Sequence, residues 1–212
     1  MQHLRNLISK ALCYIVCLYV LFTPSCSPRP KEPGPPGPTV ELPFHADMSF
    51  TAKDRKAILG AAKEWERATN GMVSITFTWD VNHSDPTAPK RHEFHHVLLK
   101  ADGDDPFVQY LDETTSSYHL AFTSPPGGIY GPGPFGVKVV LIRDRMEDSD
   151  MEKLIAIHEF GHVLGAHHIQ CSGSCVMEAG YREIAPCLAS RDLEEFCRAN
   201  KCDRPMNPCV QP

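Results

Sequence analysis

One run of the sequence constrains the fold of this 212-residue chain more than any other: His158-Glu159-Phe160-Gly161-His162-Val163-Leu164-Gly165-Ala166-His167-His168. Apolar residues at helical spacing lead into it, and they predict a helix over residues 150–164 that Asp148, Ser149 or Asp150 caps. His158 and His162 are four residues apart, so both imidazoles leave the same face of that helix, about one turn apart. The run therefore predicts two histidine side chains pointing at one spot.

A glycine turn would bring a third histidine to the same spot. Gly165 can adopt the left-handed conformation that ends a helix and turns the chain back. His168, three residues later, then supplies a third ligand of one zinc ion, and the fourth position stays open as in catalytic zinc sites. Glu159 is rotated by about 100° from His158, beside the metal, where it suits a general base. This five-point spacing should arise by chance in on the order of 1 in 10,000 chains of this composition.

A second match to His-Glu-x-x-His uses His92, Glu93 and His96. It leads into an apolar stretch that predicts a strand, where residues four apart lie about 13 Å from each other, too far for one ion. It also lacks the glycine and the third histidine. We interpret it as the start of a strand with exposed histidines.

The rest of the pattern predicts an α+β domain without internal repeats. A first helix is predicted to begin within residues 49–54 and to end at Asn70-Gly71. A last helix is predicted to run from about Ser190, as its N-cap, to about residue 200. Alternating or continuous apolar segments predict strands at residues 72–79, 94–99, 118–122 and 137–142, with a Gly/Pro loop at 127–136.

The N-terminal part of the chain indicates export. Arg5 and Lys10 precede an apolar run at residues 11–22, which is shorter than the ~20 residues that span a bilayer and is typical of a secretory signal. We expect a signal peptide at 1–26, a Pro-rich linker at 27–39 and the folded domain at 40–212. Thr23-Pro24-Ser25-Cys26 resembles a loose bacterial lipobox, so lipidation of Cys26 and simple cleavage of the signal both stay open.

The cysteines point to the same compartment. Three of the nine lie in or at the edge of the signal, and the other six fall near the C-terminus: Cys171, Cys175, Cys187, Cys197, Cys202 and Cys209. Their even number in a polar, loop-rich region predicts three disulfides in an oxidising environment, with 15 possible pairings. A cysteine zinc site is disfavoured because no Cys-x-x-Cys pair is present.

Charge excludes some partners. The net charge of −5 is spread along the chain, with no basic stripe for nucleic acid. We expect a monomer that touches a membrane only through a lipid on Cys26.

Asp102-Gly103-Asp104-Asp105 could bind Ca²⁺, although a solvated turn is the simpler interpretation.

The long zinc motif followed by Met177 resembles the signature of the metzincin zinc proteases, and of matrixins in particular. The resemblance implies a twisted mixed five-stranded sheet with an active-site helix and a C-terminal helix. It places Met177 in a tight turn beneath the zinc histidines and Tyr181 in the wall of the S1′ pocket. Ala179 stands where matrixins usually have proline, which weakens the match at that wall.

The expected function is that of a zinc endopeptidase acting on protein or peptide substrates. Glu159 would take a proton from a zinc-activated water and return it to the leaving amine. By analogy with metzincins, the substrate would lie extended along an edge strand at residues 137–142. The alternative is a surface-anchored, zinc-containing binding module without proteolytic activity. A disulfide-rich interaction domain with incidental histidines is a third interpretation.

Overall fold

A computed structural model describes residues 40–82, 96–115, 117–124, 137–171, 175–179 and 186–209. Within these ranges there are five strands and four α-helices. The strands are β1 (Val40–Asp47), β2 (Val73–Val81), β3 (His96–Ala101), β4 (Ala121–Ser124) and β5 (Val137–Ile142). The helices are α1 (Ala52–Ala68), α2 (Pro106–Thr115), α3 (Ser149–Val163) and α4 (Ser190–Asn200).

The five strands form one mixed sheet in the order β2-β1-β3-β5-β4. β1 pairs in parallel with β2 and β3, and β3 pairs in parallel with β5. Only the short β4 is antiparallel, with Ala121 opposite Leu141 and Ser124 opposite Lys138. The prediction that residues 137–142 form the edge was wrong: β5 lies between β3 and β4, because β4 pairs with its other side and is the outer strand there.

Helix α1 begins with a capping box. The Thr51 hydroxyl accepts from the Asp54 amide, and the Asp54 carboxylate accepts from the Thr51 amide at 3.0 Å. The helix buries its apolar face, including Ile58 and Trp65, in the main core against the sheet. Aromatic rings pack together within this core, with Phe44 5.4 Å from Phe160 between ring centroids.

Helix α3 carries the zinc motif and is fixed at both its start and its middle. The Asp148 side chain caps it by accepting from the amides of Asp150 and Met151. The indole N–H of the fully buried Trp65 donates to the Ile157 carbonyl at 2.9 Å. The motif therefore stands on a helix that is held against α1 by both packing and a buried hydrogen bond.

The predicted α+β fold is confirmed, with some corrections of detail. The predicted helices correspond to α1, α3 and α4, although Ala189 rather than Ser190 is the N-cap of α4. Strand β4 begins three residues later than predicted, and β1 and α2 were missed. No described helix is long and apolar enough to cross a membrane.

The part of the chain that the structure describes contains three disulfides, as the cysteine count predicted: Cys171–Cys175, Cys187–Cys209 and Cys197–Cys202. Cys187–Cys209 joins the segment before α4 to the segment after it, and Cys197–Cys202 links α4 to the residues that follow it. Cys171–Cys175 closes the short segment after the zinc motif. Three disulfides in a domain of this size indicate an extracellular or otherwise oxidising environment.

Candidate metal centre

The side chains of His158, His162 and His168 converge on one point. Their three Nε2 atoms lie 3.1 Å from one another. These three residues also form the single group of three or more potential metal ligands found among the described residues. The structure therefore brings together the three ligands that the sequence predicted.

The hydrogen bonds behind two of the rings fix where their protons lie. Nδ1 of His158 is 2.7 Å from the Val176 carbonyl, and Nδ1 of His162 is 2.9 Å from the Ala166 carbonyl. Because a carbonyl only accepts, both Nδ1 atoms donate, and both Nε2 atoms present lone pairs to the common point. Nitrogen lone pairs facing each other at 3.1 Å repel unless a cation lies between them. The donor set fits Zn²⁺, which binds imidazole nitrogen and is commonly oriented through such backbone contacts.

The surroundings also keep the rings neutral. Burial lowers the pKa of His158 to about 4, although the hydrogen bond to Val176 favours the charged ring. Burial also lowers the pKa values of His162 and His168, and the neighbouring histidine rings add to the effect. Neutral imidazoles are the form that binds metal.

Gly165 makes the turn that brings in the third histidine. Its φ is +85°, in the left-handed region, and its amide donates to the His162 carbonyl at 3.0 Å. The Asn200 side chain of α4 donates to the Leu164 carbonyl at 2.7 Å and so covers the C-terminal end of α3. A side chain at Gly165 would also approach Ala199, with a Cβ–Cβ distance of 3.0 Å. Both conformation and space therefore require glycine here.

Glu159 lies beside the histidines and is not one of the converging ligands. Its side chain is 5% exposed and lines the same cleft. Burial raises the pKa of this carboxyl to about 7, against a hydrogen bond from the Thr123 hydroxyl at 2.6 Å. The carboxylate is thus close to the histidine cluster and basic enough to exchange a proton near neutral pH.

Met177 lies in a tight turn under the histidine helix. The residue is fully buried, and a Cβ added at Gly161 would meet its sulfur directly. The buried Asp192 carboxylate of α4 holds this turn by accepting from the amides of Val176 (3.1 Å) and Met177 (2.9 Å). The Val176 carbonyl also accepts a hydrogen bond from Nδ1 of His158. The Asp192 carboxylate is therefore linked through Val176 to a predicted zinc ligand.

The histidines open onto a cleft of about 360 Å³, lined among others by Tyr118, Leu120, Thr123, Ile155 and Glu178. A larger cavity of about 760 Å³ lies along Asp47, Leu99 and Phe107, and none of the three histidines lines it. The smaller cleft is the candidate functional site, because the three histidines and Glu159 line it.

Several sequence expectations gain nothing from the structure. Tyr181, Cys26, His92 and Glu93 lie outside the described residues. The calcium prediction finds no support, since Asp102 and Asp104 belong to no ligand cluster among the described residues and Asp105 caps α2 by accepting from the Phe107 amide. Cys175, close to the histidines in sequence, is bonded to Cys171 and so has no free thiolate for a metal ion.

Sequence reasoning missed two residues of the site. Thr123 is 36 positions from Glu159, and its contact depends on the pairing of β4, which no local pattern encodes. Asp192 did carry a signal, because an acid at the third residue of a helix is typical of capping, and it accepts from the Ala189 amide at 2.8 Å. Its additional hydrogen bonds to the methionine turn could not be predicted from that position.

Comparisons with known proteins give limited similarity. No protein-family model and no curated protein matches the chain. Among solved structures, metalloproteinase-II from Bacteroides fragilis matches 80% of this chain with a TM-score of 0.48 and 18% identity. The match covers 55% of that protein, so the chain spans about half of its length. Archaemetzincin (AmzA) from Methanopyrus kandleri matches 79% of this chain and 99% of its own, with a TM-score of 0.48 and 15% identity.

Proposed function

We propose that this protein is a zinc-dependent endopeptidase of the metzincin, matrixin-like type. The observation that supports it is the convergence of three histidine Nε2 atoms at 3.1 Å, with an acid beside them that is not part of the cluster. A purely structural zinc site needs four protein ligands and no adjacent base. Three ligands and a buried carboxyl at an open cleft favour hydrolysis.

His158, His162 and His168 would hold the ion. Bound zinc supplies a Lewis acid that polarises the scissile carbonyl and lowers the pKa of a water molecule. The backbone contacts of His158 and His162 keep their lone pairs aimed at the metal. Glu159 accepts the proton of the water at its carboxylate and returns it to the leaving amine, a general base that then acts as a general acid.

The substrate would be an extended peptide lying along β4. This strand is the outer strand of the sheet and its Thr123 lines the cleft, so an added chain would pass over the histidines. Tyr181 remains our candidate for the wall of the S1′ pocket. The protein would act as an exported monomer outside the cytoplasm, held at a membrane if Cys26 is lipidated.

Chelation and ligand replacement test this function. The purified protein should cleave a quenched fluorescent peptide or casein, lose activity in a strong chelator and regain it with zinc. His168→Ala should reduce both zinc content and activity. His167→Ala is the matched control, since this exposed neighbour is not in the ligand cluster and should keep both. Stoichiometric zinc without cleavage of any peptide would favour the binding module instead.

A further inference from the structure

Thr123 joins the edge strand to the proposed base. It lies on β4 opposite Val139, and its hydroxyl oxygen is 2.6 Å from Glu159 Oε2 and 3.2 Å from the Glu159 carbonyl oxygen. The hydroxyl has one proton, and the shorter contact to an ionised group is the stronger hydrogen bond. Thr123 therefore donates to the carboxylate of Glu159.

This contact is the one hydrogen bond to the Glu159 carboxylate among the described residues. A glutamate side chain has three rotatable bonds, and a buried carboxylate that must meet a water molecule needs a fixed direction. Thr123 is β-branched and stiff at χ1, so it holds its hydroxyl in a defined direction from the strand. With one carboxylate oxygen bound to Thr123, the other oxygen is left to receive the proton.

The position on β4 gives the contact a second consequence. Side chains alternate along a strand, and Phe122 packs on the opposite face of the sheet with Val140 and Leu99, whereas Thr123 faces α3. The strand on which an extended substrate would pair therefore also carries the group that directs the base. Register errors in β4 would misplace both.

We propose that Thr123 is a positioning residue that aims the Glu159 carboxylate from the substrate-binding edge strand. The inference rests on the proposed peptidase function, because it assigns Glu159 the role of base. Among the described residues, the Thr123 hydroxyl makes hydrogen-bond contacts with Glu159 and none with the three histidines. Its role is to restrict the carboxylate to the conformation that transfers the proton.

Removal of the hydroxyl should slow turnover without weakening substrate binding. In Thr123→Val, which is nearly isosteric, we expect kcat to fall by about 10- to 100-fold, since a displacement of about 1 Å at a catalytic group has an effect of that size. KM should stay within about 2-fold. Thr123→Ser keeps the hydroxyl and should recover most of the lost kcat. The matched control is Thr78→Val on β2, the opposite edge strand, which should leave both constants unchanged.

A structural measurement tests the contact without relying on activity. Crystal structures of the metal-free proteins should show one Glu159 conformation in the wild type and in Thr123→Ser, and a displaced or multiple conformation in Thr123→Val. An unchanged carboxylate in Thr123→Val would overturn the inference whatever the activity.

The outcomes separate this inference from the proposed function. If the wild type shows no zinc-dependent cleavage, the proposed function fails, and the role of Thr123 as an aid to catalysis fails with it. If the wild type cleaves peptides and Thr123→Val keeps its kcat, only the inference fails. Zinc loss in Thr123→Val, or a kcat in Thr123→Ser as low as in Thr123→Val, would also overturn it, because either result indicates a packing role.

Discussion

Glu152 should make the stability of the folded protein fall as pH rises. The residue lies in the first turn of α3 and is 0% exposed. Neither of its carboxylate oxygens has a hydrogen-bond partner among the described residues. Arg143 is the nearest cation, with its Nε 3.6 Å from Glu152, but that nitrogen donates instead to Asp54 at 2.9 Å. Burial, together with the charge of Asp54, raises the pKa of Glu152 from 4.5 to about 7, although Arg143 acts against the rise.

The size and sign of the effect follow from this pKa. The folded protein binds the Glu152 proton more tightly than the unfolded chain, so ionisation favours unfolding. The penalty is absent below pH 4.5, grows between pH 4.5 and 7, and is complete above pH 7. The difference between the two pKa values corresponds to an upper bound of about 3 kcal/mol, at 1.36 kcal/mol for each unit. Glu152→Gln is neutral throughout and should remove the penalty.

Urea unfolding between pH 4.5 and 8.5 measures the destabilisation caused by ionised Glu152. A chelator is present so that zinc binding does not contribute. Glu152→Gln should match the wild type at pH 4.5 and exceed it by up to about 3 kcal/mol at pH 8. Other titrating groups cancel in this difference. Glu194→Gln, which removes an exposed carboxylate from α4, should stay within about 0.5 kcal/mol of the wild type. A stability difference between Glu152→Gln and the wild type that does not change with pH would show that Glu152 does not ionise in the folded protein in this range.

Two further substitutions test the support beneath the histidines. Asp192→Asn replaces a buried carboxylate that accepts hydrogen bonds from three backbone N–H groups. We expect urea unfolding to show a free energy of unfolding lower by about 2–3 kcal/mol, and titration to show weaker zinc binding. Equal zinc affinity would disprove the link to the metal site. Gly161→Ala brings a methyl group against Met177 and within 3.2 Å of Trp65, and should cost about 1–3 kcal/mol in thermal unfolding. Gly60→Ala is the control, since the nearest atom to the added methyl group belongs to the flexible Lys153 side chain, at 3.4 Å. This substitution should stabilise α1 by about 0.5–1 kcal/mol. Equal effects at the two glycines would contradict the packing argument.

The sequence encodes the parts of this protein whose signals are local. The spacing of His158, His162 and His168 with Gly165 was enough to predict a converging cluster, because helix geometry and one left-handed glycine determine it. Strand β5 was predicted with its observed bounds, since its residues are apolar except for Lys138 and follow a Gly/Pro loop in the sequence. Helix α4 was likewise predicted over its observed length.

The missed parts depend on contacts between distant residues. Strand β1 contains Pro43, which argues against a strand, yet it lies inside the sheet and pairs with β2 on one side and β3 on the other. Helix α2 buries only Val108 and Leu111, too few apolar residues for a clear period. The edge position of β4 and the cysteine pairing depend on the folded topology and have no local sequence signal.

In the proposed function, Glu159 performs proton transfer at a zinc ion held by three histidines. The most direct test is peptide turnover by Glu159→Gln measured together with its zinc content. We expect stoichiometric zinc, unchanged thermal stability and a kcat lower by at least about 100-fold, since general acid–base catalysis contributes about 10²- to 10⁴-fold. A variant that keeps its zinc and also keeps wild-type turnover would contradict this account.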